Sequence, residues 1–540
     1  METYDYIIVG AGTAGCVLAR RLSDDPGSQV LLIEAGPPAD SFWIRTPAGM
    51  ARLFHNKRFN WGYSTEPDAA LGGRTVFWPR GKTLGGSSAI NGMIYMRGHP
   101  RDYDLWAGLG NAGWGWDDVL PYFRRIEDHA HGASPHHGVD GPLHISDPVI
   151  KHPTAQAFIE AATSIGIPRT HDLNGPPHEG VDFQQFNIRN GRRHSSYDAY
   201  VAPVRHRPNL VVRTGMHVLR ILVEGRQARG VEVLQSGDRH SIAAAREVIV
   251  AGGVVNSPQL LMLSGIGDGV QLQTHGISTL VHAPGVGRNL QDHVYAPYAV
   301  RCTPNGSYNS SLRGLRKYLH GLRYLLTRRG YLAMGSSSVS AYTRSGFDVN
   351  GPDIQLTVRP VSFAFLPSGE LVVDKQPGIT AAVSLMQPLS TGQVMLKSPD
   401  PLQAPSIVPN YLANADDVKR LVAGMRCMRQ IFTTEPLASR VIVEMQPGQS
   451  ISSDAQLSDY VKATATTAFH PVGTCRMGSD PMAVVDERLR VHGVQRLRVV
   501  DASIMPTITM GNTNAPTTMI GEKAADMIRA DAVPPRTVRL

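Results

Sequence analysis

A glycine turn near the start of the chain constrains the fold more than any other feature. Gly10-Ala-Gly12-Thr-Ala-Gly15 follows the apolar run Tyr6-Ile-Ile-Val9 and opens a helical pattern through Val17 to Leu22. A second apolar run, Gln29-Val-Leu-Leu-Ile33, comes next, and Glu34 ends it 19 residues after Gly15. Strand, tight turn, helix and parallel strand make the βαβ unit that binds dinucleotides, and each residue has a physical task. Gly10 permits the turn, Gly12 lets a pyrophosphate approach the backbone and the helix N-terminus, and Gly15 lets helix and strand pack closely. Glu34 can accept hydrogen bonds from ribose hydroxyls.

The same α/β pattern returns later in the chain. Glu247-Val-Ile-Val-Ala251 reads as a strand before Gly252-Gly253, Leu497-Arg-Val-Val500 as a strand closing on Asp501, and residues 517–529 as a helix. Between them, residues 305–465 mix alternating strands, such as Asp353-Ile-Gln-Leu-Thr357, with amphipathic helices, such as Asp416 to Phe432. The fold class is therefore α/β: a Rossmann-like cofactor domain, discontinuous in sequence, with an inserted mixed α+β domain. The expected boundaries are 1–150, 195–304 and 466–540 for the cofactor domain, and 151–194 with 305–465 for the inserted one. A chain of 540 residues, 42% of them hydrophobic, has the material for two such cores.

The glycine fingerprint alone cannot choose between NAD and FAD. Four further stretches can. Arg80-Gly-Lys-Thr-Leu-Gly-Gly-Ser-Ser-Ala-Ile-Asn-Gly-Met-Ile94 is a long glycine-rich loop with hydroxyls, and Gly253-Val-Val-Asn-Ser-Pro-Gln-Leu-Leu-Met-Leu-Ser-Gly-Ile-Gly267 is a second segment bounded by glycines. Pro284-Gly-Val-Gly-Arg-Asn-Leu-Gln-Asp-His293 and His470-Pro-Val-Gly-Thr-Cys-Arg-Met-Gly478 complete the set, with Val500-Asp-Ala-Ser503 after them. Together they resemble the landmarks of the glucose–methanol–choline family of flavoprotein oxidoreductases from residue 4 to about 530, nearest to its choline-dehydrogenase-like and aliphatic alcohol dehydrogenase branch. Val254 departs from the small residue usual at its place.

The resemblance implies FAD-dependent oxidation of an alcohol, with its hydride passing to flavin N5. It places Gly10, Gly12, Thr13, Ala14, Gly15, Glu34, Ala35 and Gly86 around the nucleotide, and Val218 at the adenine. Asn91, Gly92, Met93 and Ile94 fall at the flavin ring, with Asp501, Ala502 and Thr513 along the ribityl and pyrophosphate portion. Some relatives attach FAD through a histidine in the glycine-serine loop. Ile90 stands there in this chain, so noncovalent FAD is expected. His470 is the expected base, because an imidazole titrating near neutrality suits removal of the hydroxyl proton. The tail Gly511-Asn-Thr-Asn-Ala-Pro-Thr517 places Asn512 beside it to orient the alcohol, with Asn514 as a rival. His293 is expected to pack or to touch the flavin domain, and Cys475 to pack beneath the active-site loop.

Choline would require a carboxylate and aromatic faces for its ammonium group. Ser338 stands near the place of that carboxylate, so an uncharged primary or secondary alcohol is expected instead. Phe363, Phe365 and Leu366 are candidates for the cavity mouth. A quinone or another carrier is the expected electron acceptor; oxygen use, or lyase and decarboxylase chemistry on the same fold, are the alternatives. The net charge of +8 is spread in short groups without a recognition motif, which argues against nucleic acid. The four cysteines show no metal or redox spacing, no metal site is expected, and no apolar run is long enough to span a bilayer. A cytoplasmic location follows as the expectation, with room for peripheral contact at the inner membrane.

Overall fold

The computed structural model describes residues 2–347, 351–365 and 371–532. The opening unit is strand Glu2–Val9, helix Thr13–Leu22 and strand Val30–Ile33. The helix starts four residues ahead of the expected Val17, because Gly12 is still extended and hands over directly to Thr13. Tyr6 to Val9 and Val30 to Ile33 are all buried, as parallel strands covered on both faces must be. Across the sheet the order is Leu210–Arg213, Val30–Ile33, Glu2–Val9, Asp238–Val250, Gln227–Gln235 and Met216–Glu224. Leu497–Val499 pairs with the far end of Asp238–Val250. The run expected at Glu247–Ala251 is thus the last part of a longer strand.

Register places the function. Val9 pairs with Ile33 on one side and Val250 on the other, and Val250 pairs with Val499, all in parallel. Arg213 pairs with Ile33 in parallel as well, so five strands stop in one row. Glu34, Gly10, Ala251 and Val500 with Asp501 emerge together at their carboxyl edge, where open parallel sheets bind ligands.

A second seven-stranded sheet is antiparallel throughout: Val441–Gln446, Val294–Cys302, Gly378–Leu385, Ile354–Arg359, Val339–Thr343 and Gly180–Phe183, with Thr466–Thr467 beside Val294. By sheet membership, the inserted domain begins near residue 294, ten residues before the expected boundary at 304. The strands alternate cleanly. Ala296, Tyr298, Val300, Val383, Ala381, Leu356 and Val358 point into a core shared with helices Pro153–Ser164, Ala415–Phe432 and Asp454–Thr464. Gly424 brings the long helix down onto the sheet, since a Cβ there would lie 2.5 Å from Val383 Cγ1. The other face of this sheet looks toward the carboxyl edge of the first.

Candidate active site

Between the two sheets lies a cavity of about 640 Å³, within the range of cofactor sites. Every residue expected at the cofactor lines it except Gly15. Gly15 serves packing: a Cβ there would lie 1.9 Å from the Gly10 carbonyl oxygen. Gly12 is open, its virtual Cβ meeting only Ala251 O at 3.9 Å, while one on Gly86 would lie 2.7 Å from Gly12 Cα. The two glycine loops thus come together at backbone distance and leave a cradle for a pyrophosphate.

Glu34 fits a nucleotide as well. Its carboxylate accepts the N–H groups of Gly36 at 2.8 Å and Ala11 at 3.1 Å and has no cation in contact among the described residues. Burial pushes the carboxyl up to about 7, opposed by those two N–H groups. A buried carboxylate in that state is completed by hydroxyl donors, such as those of a ribose. Asp501 differs from expectation in how it acts. Its carboxylate is already taken by Ser257 Oγ at 2.6 Å, Gly253 N at 2.8 Å and Ser503 N at 2.8 Å, so it secures the glycine helix, while Asp501 and Ala502 still form cavity wall. At the flavin end the buried Arg193 donates to the carbonyl oxygens of Ser88 at 3.1 Å and Asn91 at 2.7 Å. That clamp holds the loop in which Met93 adopts φ +63°, a left-handed conformation costly for a residue other than glycine. Ile90 lines the cavity with no nucleophilic atom.

The structure brings His470 and Asn512 together. Asn512 Nδ2 lies 2.8 Å from His470 Nε2, whereas Asn514 Nδ2 turns away and donates to Thr13 Oγ1 at 2.8 Å. Asn512 Oδ1 is buried without a hydrogen-bond partner. On the other side of the ring, His470 Nδ1 is 3.0 Å from His293 Nδ1, and His293 Nε2 is 3.1 Å from Met386 O. A carbonyl oxygen only accepts, so His293 Nε2 carries the hydrogen. Burial pushes His293 down to about 3, so the ring is neutral and its Nδ1 accepts. The hydrogen between the rings therefore belongs to His470 Nδ1, and His470 Nε2 presents a bare lone pair to Asn512 and the cavity. Burial, then His293 and Arg80, hold His470 well below the usual histidine range, which keeps that lone pair free.

The backbone fixes the same ring. His470 N donates to Asp292 Oδ1 at 2.8 Å, and Asp292 also accepts Thr467 Oγ1 at 2.5 Å and the Tyr411 hydroxyl. Phe469, just before the histidine, sits at φ +67°. His293 is thus more than a packing residue: it selects the tautomer of His470. Sequence spacing gave no sign of this, because the contact joins positions 177 apart. Cys475 is buried, its N–H donating to Ser503 O at 2.8 Å. Ser338 is buried away from the cavity, whose wall is instead formed by Ser336 and Ser337. Phe363 lies exposed on the hairpin Phe363–Phe365 with Leu371–Val373, and Leu366 lies outside the described residues. Tyr295, Gln355, Thr357 and Arg359 also line the cavity and were not expected there.

Comparison with known proteins agrees with this geometry. The family model for GMC oxidoreductases matches residues 4–295 with its N-terminal part and 388–521 with its C-terminal part. The mitochondrial choline dehydrogenase of Mus musculus is 43% identical over 98% of this chain and 90% of its own length. The alcohol dehydrogenase [acceptor] of Pseudomonas putida is 40% identical over 97% and 95%. Among solved structures, pyridoxine 4-oxidase from Mesorbium loti superposes with a TM-score of 0.86 at 36% identity, covering 98% of this chain and 99% of that one. A variant of the formate oxidase of Aspergillus oryzae RIB40 gives 0.91 at 30% identity, with coverage of 98% and 99%.

Replacing Glu34 with Ala removes the buried carboxylate at the cavity wall without touching the glycine cradle. The flavin-to-protein ratio after gel filtration is expected to fall well below that of the parent protein. An undiminished ratio would remove Glu34 from cofactor binding.

Proposed function

Because the chain belongs to the GMC oxidoreductase family and its cofactor is FAD, we propose that it oxidises a primary or secondary alcohol to an aldehyde or ketone, with His470 as the base. FAD, when bound, supplies the hydride acceptor at N5. The observation that carries the reading is the bare His470 Nε2 beside Asn512 at the cavity wall. An alcohol hydroxyl entering here replaces the Asn512 amide at Nε2, donates its hydrogen there and accepts from Asn512 Nδ2. The proton passes to His470 as the α-hydrogen departs, while the contact with His293 Nδ1 keeps the ring oriented. A general base of this kind is worth about 10² to 10⁴ in rate.

The substrate carries no positive charge. Glu34 and Asp501 are the only carboxylates on the described cavity wall, both lie in the nucleotide half, and Asp501 is fully hydrogen-bonded. The cavity wall also carries two guanidinium groups, Arg80 and Arg359, which repel a quaternary ammonium. FAD is held noncovalently, consistent with Ile90 in the loop. Transfer of electrons to a carrier such as a quinone, in place of oxygen, is supported by the likeness to an alcohol dehydrogenase that uses an acceptor. The similarity to pyridoxine 4-oxidase favours oxygen as the second reading.

A surface helix supports peripheral contact with an anionic bilayer. No helix among the described residues is long and apolar enough to cross a membrane. In helix Gly314–Thr327 only Tyr324 is buried, its hydroxyl donating to Gly191 O at 3.0 Å. Leu315, Leu319, Leu322 and Leu326 form one stripe on the opposite side and are 54% to 81% exposed. Arg316 and Arg323 line one edge of the stripe, Arg313, Lys317, Arg328 and Arg329 are close in sequence, and there is no carboxylate from 313 to 329. An apolar stripe edged by cations is the pattern of a helix lying in a lipid interface. From it the chain runs through Tyr331–Ala333, which packs on Pro47–Gly49, to Ser336 and Ser337 at the cavity wall.

Two outcomes are expected. His470→Ala keeps FAD but slows anaerobic flavin reduction by about two orders of magnitude or more; in the parent protein that rate holds its plateau to below pH 6.5, because the folded imidazole stays neutral there. Unchanged reduction in the variant would take His470 out of the mechanism. Separately, the double variant Leu319→Glu with Leu326→Glu is expected to lose co-sedimentation with phosphatidylglycerol vesicles. Equal binding by parent and variant, or no binding by the parent, would overturn the bilayer contact.

A further inference from the structure

The cavity face of the second sheet forms a grid set by strand register. Tyr295, Ser384 and Gln355 make one row across three strands, Pro297, Ala382 and Thr357 the next, and Ala299, Thr380 and Arg359 the third. The first row adjoins the reacting groups. Gln355 Nε2 donates to the Tyr342 hydroxyl at 2.8 Å, and that hydroxyl closes on Gly511, next to Asn512. Val294 and His293 precede Tyr295, and Met386, the acceptor of His293, lies two residues past Ser384. The third row is four residues further along the strand, roughly 13 Å at about 3.3 Å per residue.

Arg359 is the anomaly of this grid. It lines the cavity, yet its side chain has no ion pair and no hydrogen bond among the described residues. The other cavity arginine, Arg80, is tied to Phe469 O at 2.7 Å and Pro79 O at 2.7 Å. Burial disfavours the Arg359 charge, and only the nearby Tyr295 opposes that effect. Arg359 is half-buried, and a partly desolvated guanidinium without a partner gains from a ligand that supplies the anion; its planar fork matches a carboxylate. The middle row, Pro297, Ala382 and Thr357, offers a largely apolar passage between the two ends.

We infer that the alcohol oxidised here carries a carboxylate at its far end, bound by Arg359, with a largely aliphatic spacer between that carboxylate and the reacting hydroxyl. This rests on the alcohol-oxidising reading of the site and changes the expectation of an uncharged substrate: the hydroxyl end is neutral and the distal end anionic. It also separates this chain from its choline-oxidising relatives by charge sign at the substrate.

The test is anaerobic flavin reduction by ω-hydroxy acids of increasing chain length, each compared with its terminal amide. In the parent protein, kcat/KM for the acid is expected to exceed that for the amide by about 10- to 100-fold at the fitting length, as for a charge-assisted hydrogen-bond pair. Arg359→Gln is expected to bring the ratio to about one, and Arg359→Lys to keep part of it. A parent ratio near one, or a large ratio that survives Arg359→Gln, would overturn the assignment. If amides and simple alcohols also fail to reduce the flavin, the alcohol-oxidising reading itself falls, and this assignment with it.

Discussion

Five parallel strands that stop in one row are the constraint on which the rest of this molecule depends. Arg213, Ile33, Val9, Val250 and Val499 are laterally paired, so the residues after them leave the sheet at one edge. That edge collects a glycine turn, a buried acid and the Asp501 segment from chain positions hundreds of residues apart. Asp501 ties the arrangement together by accepting from Gly253 and Ser257, which fixes the start of the second glycine helix against the closing strand. Shifting one strand by a residue would turn its side chains to the opposite face and disperse the cradle.

Chemistry is then a matter of what faces that edge. The second sheet brings His293 and Met386 behind His470, and a carbonyl oxygen at one end of the chain of contacts determines which nitrogen is bare at the other. Burial keeps His470 uncharged, so the base is held ready as a neutral imidazole. The backbone anchor through Asp292 and the left-handed Phe469 show that the ring's position is also set from its own main chain.

The local part of this design was legible in the sequence. The fingerprint Gly10 to Glu34 carries its own geometry, because each task falls on neighbouring residues, and the tail placed Asn512 by its spacing from the final helix. That helix begins at Asn514, three residues ahead of the pattern read from 517, since its first turn is polar and faces the cavity. What stayed hidden depends on register between distant strands. Alternation in Val294–Cys302 and Ile354–Arg359 is visible along the chain, but which face meets the cavity is decided by pairing with Gly378–Leu385. The contact of His293 with His470 and the cavity position of Arg359 were missed for that reason. The exposed leucines of Gly314–Thr327 follow helical spacing that ordinarily marks a core face, and only the fold reveals that they point outward.

The central claim is that this cavity holds FAD and takes hydride from an alcohol. The most direct test is the visible spectrum of the purified protein during addition of alcohols in the absence of oxygen. A yellow protein that bleaches with an alcohol class, and regains colour when an electron acceptor is supplied, is the predicted result. A protein that carries no flavin and cannot be reconstituted with FAD, or a flavin that no alcohol reduces, would contradict the account.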